Sequence, residues 1–342
     1  MVELETSDAV LADLESETAV PMGYLPPPDG VPADALVERD EPRAPAPWEG
    51  AQVVTSLETE TVRERLREEL NLELKDAEGE DHKLLMRLMS LLDSPNLDLP
   101  PFPDVAQELD EMLKDKSTTL VQIAGVVERD PGLVRRVWAQ GSSALYATPP
   151  RSLHHAVSRI GLDALWRIGM SVCTDDNVFR LKGFQNEADE ARKHGVVAAG
   201  VAAWISNEPR GPMYMAGLLH SVGKLILYRT ASDSDTNETP SPELVERLAE
   251  RYYPAFGVLV ARSWKLDQRV VGGLGFHPEP DSADPEVARC AKILHASVVA
   301  THTASQTIKD EDTDGLAVLQ GIDGLQLDAE ATVAKARELF EV

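Results

Sequence analysis

The stretch Met215–Tyr228, MAGLLHSVGKLILY, breaks an apolar run with His220, Ser221 and Lys224. An imidazole beside a hydroxyl and an amine has three possible uses: binding a metal, moving a proton or gripping an anion. The segment GLLHSVGK also has the glycines and lysine of a phosphate-binding loop, but the spacing fails. Five residues instead of four separate Gly217 from Gly223, and Leu225 follows Lys224 where Ser or Thr would hold magnesium. His220 is flanked by Leu218, Leu219, Val222, Leu225 and Ile226, and reads as a hydrogen-bonded core residue with Ser221 and His194 as partners. Lys224 reads either as a contact for an anionic ligand or as a charge closing a helix C-terminal end. Adjacent His154 and His155 diverge by about 100° on a helix, so they do not face one ion. His295 and His302 lack acidic partners at helical spacing, and all four read as structural. Cys173 and Cys290 make no zinc spacing and read as reduced, buried thiols.

The elements that position these residues are helices. Leu66, Leu70 and Leu74 repeat on one face after a capping-box pair, Thr61 and Glu64, and Gly79 is expected to end that helix. Leu84, Leu85, Leu88, Leu91 and Leu92 form the next stripe. Pro103 suits a first helical turn, Thr118 or Thr119 a cap, and Asp130-Pro131 an N-cap and N1 pair. Ser152 opens a helix that Gly161 closes, and Asp163 lies near the start of the next. The segments NEADEARKHGVVAAGVAAWIS, Pro242 to Arg251, Ala255 to Trp264, Pro285 to about Thr303 and Asp328 to Phe340 read as further helices. Strand alternation is almost absent, so the fold class is all-α.

The 342 residues carry a formal net charge of −25. That balance argues against nucleic acid and anionic membrane as partners and favours proteins, including basic ones. The sequence has no apolar run long enough to span a bilayer, and the acidic N-terminus lacks the pattern of a secretory signal, so a cytoplasmic location is expected. Residues 1–55 are rich in proline and acids and read as a disordered arm.

Six segments then come in order: LPPFPDVAQEL, IAGVVERDPGLVRRVWAQGSSALY, SLHHAVSRIGLDALWRI, ARKHGVVAAGVAAWI, MAGLLHSVGKLIL and YYPAFGVLVARSWKLDQRVVGGLGFHPEP. Over residues 97–305 this order resembles the HDOD family, the HD-related output domains of bacterial signalling proteins. The Asp130-Pro131 turn, the Arg159-Ile160-Gly161 helix end and the Gly217-Leu-Leu-His core carry the likeness. It implies two packed helical lobes, 97–180 and an HD-like 181–305, with a helical lead-in at 56–96 and a C-terminal helical extension at 306–342.

The wider HD superfamily contains metal-dependent phosphohydrolases, and the resemblance sets their ligand positions on this chain. His194 fits the first histidine and His220 the histidine of the His-Asp pair. Ser221 stands for the aspartate, and Tyr253 for a histidine before AFG. His277 fits one member of a later pair whose neighbour is Pro278. Ser297 stands for the last aspartate, within a residue of slip. Without those carboxylates, no charge offset for a divalent ion remains at the matched positions. Asp175, Asp176 and Glu190 are the substitutes available elsewhere. The leading expectation is a non-catalytic signalling scaffold or adaptor with no metal or cofactor. The alternatives are a phosphohydrolase with relocated ligands and a nucleotide-sensing domain in which His194, His220 and Lys224 meet an anion.

Overall fold

The computed structural model describes residues 48–94, 98–143, 146, 148–179, 181, 183–233, 239–308 and 314–341. The expected arm therefore lies outside the described residues up to position 47. From Trp48 onward the chain is packed: Trp48, Val54 and Leu57 are buried in the larger core. The expected arm boundary at residue 55 thus moves back to residue 47 or before.

Among the described residues the secondary structure is helical, without strands. Helices α1 (Thr59–Glu73) and α2 (Gly79–Asp93) pair through fully buried Leu66, Leu70, Leu84, Leu85, Leu88 and Leu92. The expected Thr61 cap is not used. The helix starts at Thr59 because Val62 must already be helical to reach the core, and Ser56 Oγ accepts from the Glu58 N–H at 3.1 Å. Gly79 opens α2 instead of closing α1. Its φ of +58° turns the chain between the two helices, a conformation that favours glycine.

The N-terminal lobe comprises α3 (Asp104–Lys114), α4 (Leu120–Glu128), α5 (Pro131–Gly141) and α6 (Leu153–Ser171). Its starts follow local capping chemistry. Thr119 and Gln122 form a capping box. Asp130 Oδ1 accepts from Gly132 and Leu133 N–H at 2.7 and 3.0 Å, and Ser152 Oγ from His155 N–H at 3.1 Å. Gly161, at φ +80°, breaks α6 where the sequence places a helix end. Leu109, Ile123, Val127, Leu133, Val137 and Val157 fill this lobe's own core.

The second lobe follows α7 (Asp176–Phe179). It contains α8 (Gln185–Ser206), α9 (Pro212–Leu219), α10 (Val222–Ser232), α11 (Pro242–Ser263), α12 (Gln268–Phe276), α13 (Ala288–Ile308), α14 (Gly315–Gln320) and α15 (Ala329–Phe340). One core joins these helices to α1 and α2, so lead-in and extension are both built into the second lobe. Two differences from the sequence reading have the same cause. Helix α11 runs through Pro254, where two helices were expected, and α12 forms despite Gly272, Gly273 and Gly275. Tyr252, Tyr253 and Phe256 on both sides of the proline are buried, and burial outweighs the local cost of Pro and Gly.

Two close approaches fix α9 and α10. A Cβ on Gly217 would lie 2.5 Å from Ala199 Cα on α8, and one on Gly223 would lie 2.1 Å from the Tyr253 carbonyl oxygen on α11. Backbone here rests on backbone, and no side chain is free to yield. Gly223→Ala should therefore cost at least about 2 kcal/mol in urea unfolding. Trp48→Ala should cost about 3 kcal/mol, as for other core aromatics. An unchanged unfolding midpoint in either variant would contradict this packing.

Candidate functional site

Between Leu219 and Val222 the chain kinks, and His220 and Ser221 occupy the kink instead of a continuous helix. Three helices face it with one stripe each. Glu187, Glu190, Ala191 and His194 follow i, i+3, i+4, i+7 on α8; Glu246, Glu250 and Tyr253 do so on α11; Val298, Thr301, His302 and Ser305 do so on α13. They enclose an inner cavity of about 50 Å³ around His194, His220, Ser221, Tyr253, Thr301 and His302. A wider outer cavity of about 200 Å³ shares Ala191, His194, Lys224 and His302 with it and adds Glu187, Glu190, Glu246 and Glu250.

His220 is buried, and its Nδ1 lies 2.8 Å from the Gly217 carbonyl oxygen. Burial chiefly, with His194 and Lys224 adding like charge, pulls its pKa down to about 4 against the Gly217 hydrogen bond. The ring is therefore neutral at pH 7, its Nδ1–H donates, and Nε2 keeps a lone pair. That lone pair has no hydrogen-bond partner among the described residues. Ser221 is not the partner expected for it, because Ser221 Oγ donates to the Ala191 carbonyl on α8 at 3.1 Å. Nor is His194, whose Nε2 sits 3.3 Å from Ser305 Oγ with its ring edge-on to Phe340.

The remaining matched positions are sealed. His277 is fully buried, and burial drives its pKa down to about 3, with His220 and His295 adding to the shift. Its Nδ1–H donates to the Leu274 carbonyl at 3.0 Å, and its Nε2 accepts from the Tyr253 hydroxyl at 2.9 Å. His295 Nδ1–H then donates to the His277 carbonyl at 2.7 Å, as a structural histidine should. Ser297 is fully buried and donates to the Ile293 carbonyl of its own helix at 2.7 Å. Its neighbour Val298 lines the cavity in its place.

Lys224 lies in the first turn of α10, so it does not close a helix C-terminus. Its Nζ pairs with Glu250 and sits 5.3 Å from the centre of the Tyr253 ring. Burial, with repulsion from Glu250, holds the Glu246 carboxyl above its ordinary range, while Lys224 and a 3.0 Å hydrogen bond from the Tyr228 hydroxyl oppose the shift. Four carboxylates around one lysine disfavour the anionic ligand expected from the sequence.

The donors do not fit a divalent metal. Among the described residues no group of three or more His, Cys, Asp or Glu side chains converges as ion ligands. Asp175 pairs with Arg136 at 2.6 Å in a contact to the N-terminal lobe, and the Asp176 side chain lies outside the described set. Of the three substitutes only Glu190 reaches the cavity, at its outer rim. Sequence reasoning placed His194, His220, Ser221, Tyr253 and Lys224 at the cavity. It missed Glu187, Glu246, Glu250, Thr301 and His302, which the helical stripes through His194 and Tyr253 would have flagged.

The HDOD domain profile matches residues 99–280. The chain belongs to the HDOD family. Solved structures agree on the fold. An HDOD domain protein of unknown function from Geobacter sulfurreducens is 20% identical, with a TM-score of 0.54 over 75% of this chain and 96% of its own. A protein of Shewanella amazonensis SB2B, whose name proposes a metal-dependent phosphohydrolase, is 21% identical, with a TM-score of 0.53 over 76% of this chain and 99% of its own. No curated protein matches the sequence. Among the described residues of this HDOD chain, no helix is long and apolar enough to cross a membrane.

The two buried imidazoles, His220 and His277, link stability to pH. Their folded pKa values, about 4 and 3, lie below the 6.5 of a free imidazole, so the unfolded chain binds more protons as pH falls. Their stabilising contribution is complete above pH 6.5 and is lost as pH drops from there towards 4 for His220 and 3 for His277. His220→Gln, which can still donate to Gly217, should flatten the fall in urea midpoint between pH 7 and 5. Tyr253→Phe leaves His277 Nε2 unsatisfied and should cost about 1–3 kcal/mol. A Tyr253→Phe variant as stable as the parent would rule out the Tyr253–His277 seal.

Proposed function

We propose that this HDOD protein is a non-catalytic signalling adaptor, acting through protein contacts, and that its HD-type pocket has become a recognition site. The observation that carries this reading is the fate of the matched ligand positions. Ser221 is spent on the α8 backbone, Tyr253 and His277 satisfy each other, and Ser297 turns into its own helix. A hydrolytic metal needs carboxylates to offset its charge and an open position for water. Here the inner cavity offers imidazoles and hydroxyls, and the carboxylates sit at the outer rim beside Lys224.

The cavity itself argues against an inert scaffold. A packed interior would leave no unpaired lone pair on His220, whereas this one keeps Nε2 beside an open space. A binding role for the pocket is therefore part of the proposal.

Phosphodiesterase assays with manganese and with iron test the non-catalytic reading. Turnover of the parent chain should equal that of His194→Ala in both metals. Ser221→Asp alone should not create activity, since Tyr253 and His277 stay sealed. Turnover in the parent that disappears in His194→Ala would make the protein an enzyme with relocated ligands.

A further inference from the structure

We propose that the double cavity at the His220 kink is a docking site for an arginine side chain of a basic partner protein. The inference rests on the adaptor reading above and names its partner chemistry. The outer cavity is ringed by Glu187, Glu190, Glu246 and Glu250, against the single cation of Lys224. Acidic residues alone do not make a site. The second observation is His220, 8% exposed, neutral, with Nδ1–H held by Gly217 and the Nε2 lone pair unpartnered beside the inner cavity.

A buried acceptor behind an acidic mouth calls for a ligand that only donates and carries positive charge. Lys224 illustrates the chemistry from within the chain: its ammonium is held between the Glu250 carboxylate and the face of Tyr253. A second cation entering from outside meets the exposed Glu187, Glu190 and Glu246. Guanidinium fits this arrangement better than ammonium. It is planar and weakly hydrated, and its five donors in a fixed fork serve a carboxylate and a neutral acceptor at once, where an ammonium is a single point. A phosphate or nucleotide would face the same carboxylates and an imidazole with no proton to give. The source is a protein because the net charge of −25 draws basic surfaces to the whole chain. The kinked pocket then selects one side chain among them.

The test uses the full chain and three probes: a fluorescein-labelled peptide with one arginine among glycine and serine, the same peptide with lysine, and free arginine amide. Polarisation should rise most with the arginine peptide. Glu187→Gln combined with Glu246→Gln should weaken it about tenfold or more, as for a paired charge buried at an interface. Glu64→Gln combined with Glu68→Gln, exposed on α1, changes net charge equally and should shift it by about twofold or less. In ¹⁵N-histidine spectra the unprotonated Nε2 resonance of His220 should move upfield as the peptide binds. Equal losses in the two double variants would reduce the binding to diffuse attraction and overturn the site. So would a static His220 resonance, or no binding of any probe. Arginine amide binding as tightly as the peptide would overturn the protein source. None of these outcomes bears on turnover, so failure of the docking site leaves the non-catalytic reading standing, and turnover would remove that reading whatever the probes do.

Discussion

The approach of α9 and α10 to their neighbours governs this pocket. Gly217 and Gly223 flank His220 at equal distance in sequence, and each presses bare backbone against another helix, α8 on one side and α11 on the other. The chain between them has no freedom to slide. The kink places the His220 ring against the Gly217 carbonyl and Ser221 against the Ala191 carbonyl. The tautomer and the direction of the free lone pair follow from that clamp, while the neutral charge state follows from burial and is opposed by the Gly217 bond. The kink thus holds the imidazole rigidly, and among the described residues no set of three ion ligands surrounds it.

What surrounds the clamp divides into a sealed half and an open half. Tyr253 and His277 close one side with a complete set of donors and acceptors, backed by the Leu274 carbonyl and by His295. The Tyr253 hydroxyl supplies the donor that His277 Nε2 needs. The open side keeps His194, His220 and the glutamates, and Trp48 packs edge-on against His302 at 5.4 Å. The segment just after the acidic arm therefore forms part of the wall behind the cavity, so a truncation at residue 55 would disturb the pocket as well as remove the arm.

Much of this was legible in the sequence where the governing physics is local. Asp130, Ser152 and Thr119 cap because an N-cap needs only its own first turn. The absence of carboxylates at positions 221 and 297 could be read directly once the family pattern was in view. Elements decided by burial were not legible. Pro254 looks like a helix end and the glycines of α12 look like a loop, yet both lie in helices because the core covers them. The acidic rim escaped for a related reason: Glu187 and Glu246 look like ordinary exposed charges until tertiary packing brings α8 and α11 together. Ser297 was matched to a ligand position, but helix phase turns it away and exposes Val298 and Thr301 to the cavity.

The central claim is that the pocket around His220 lacks the carboxylate ligands that would hold a divalent ion. A manganese titration of the full chain followed by electron paramagnetic resonance tests it most directly, because bound Mn(II) loses the hyperfine signal of the free ion. The account predicts a signal that grows in proportion to added metal, identical in the parent and in His220→Gln. A signal suppressed until one ion per chain has been added, and restored by His220→Gln, would contradict it.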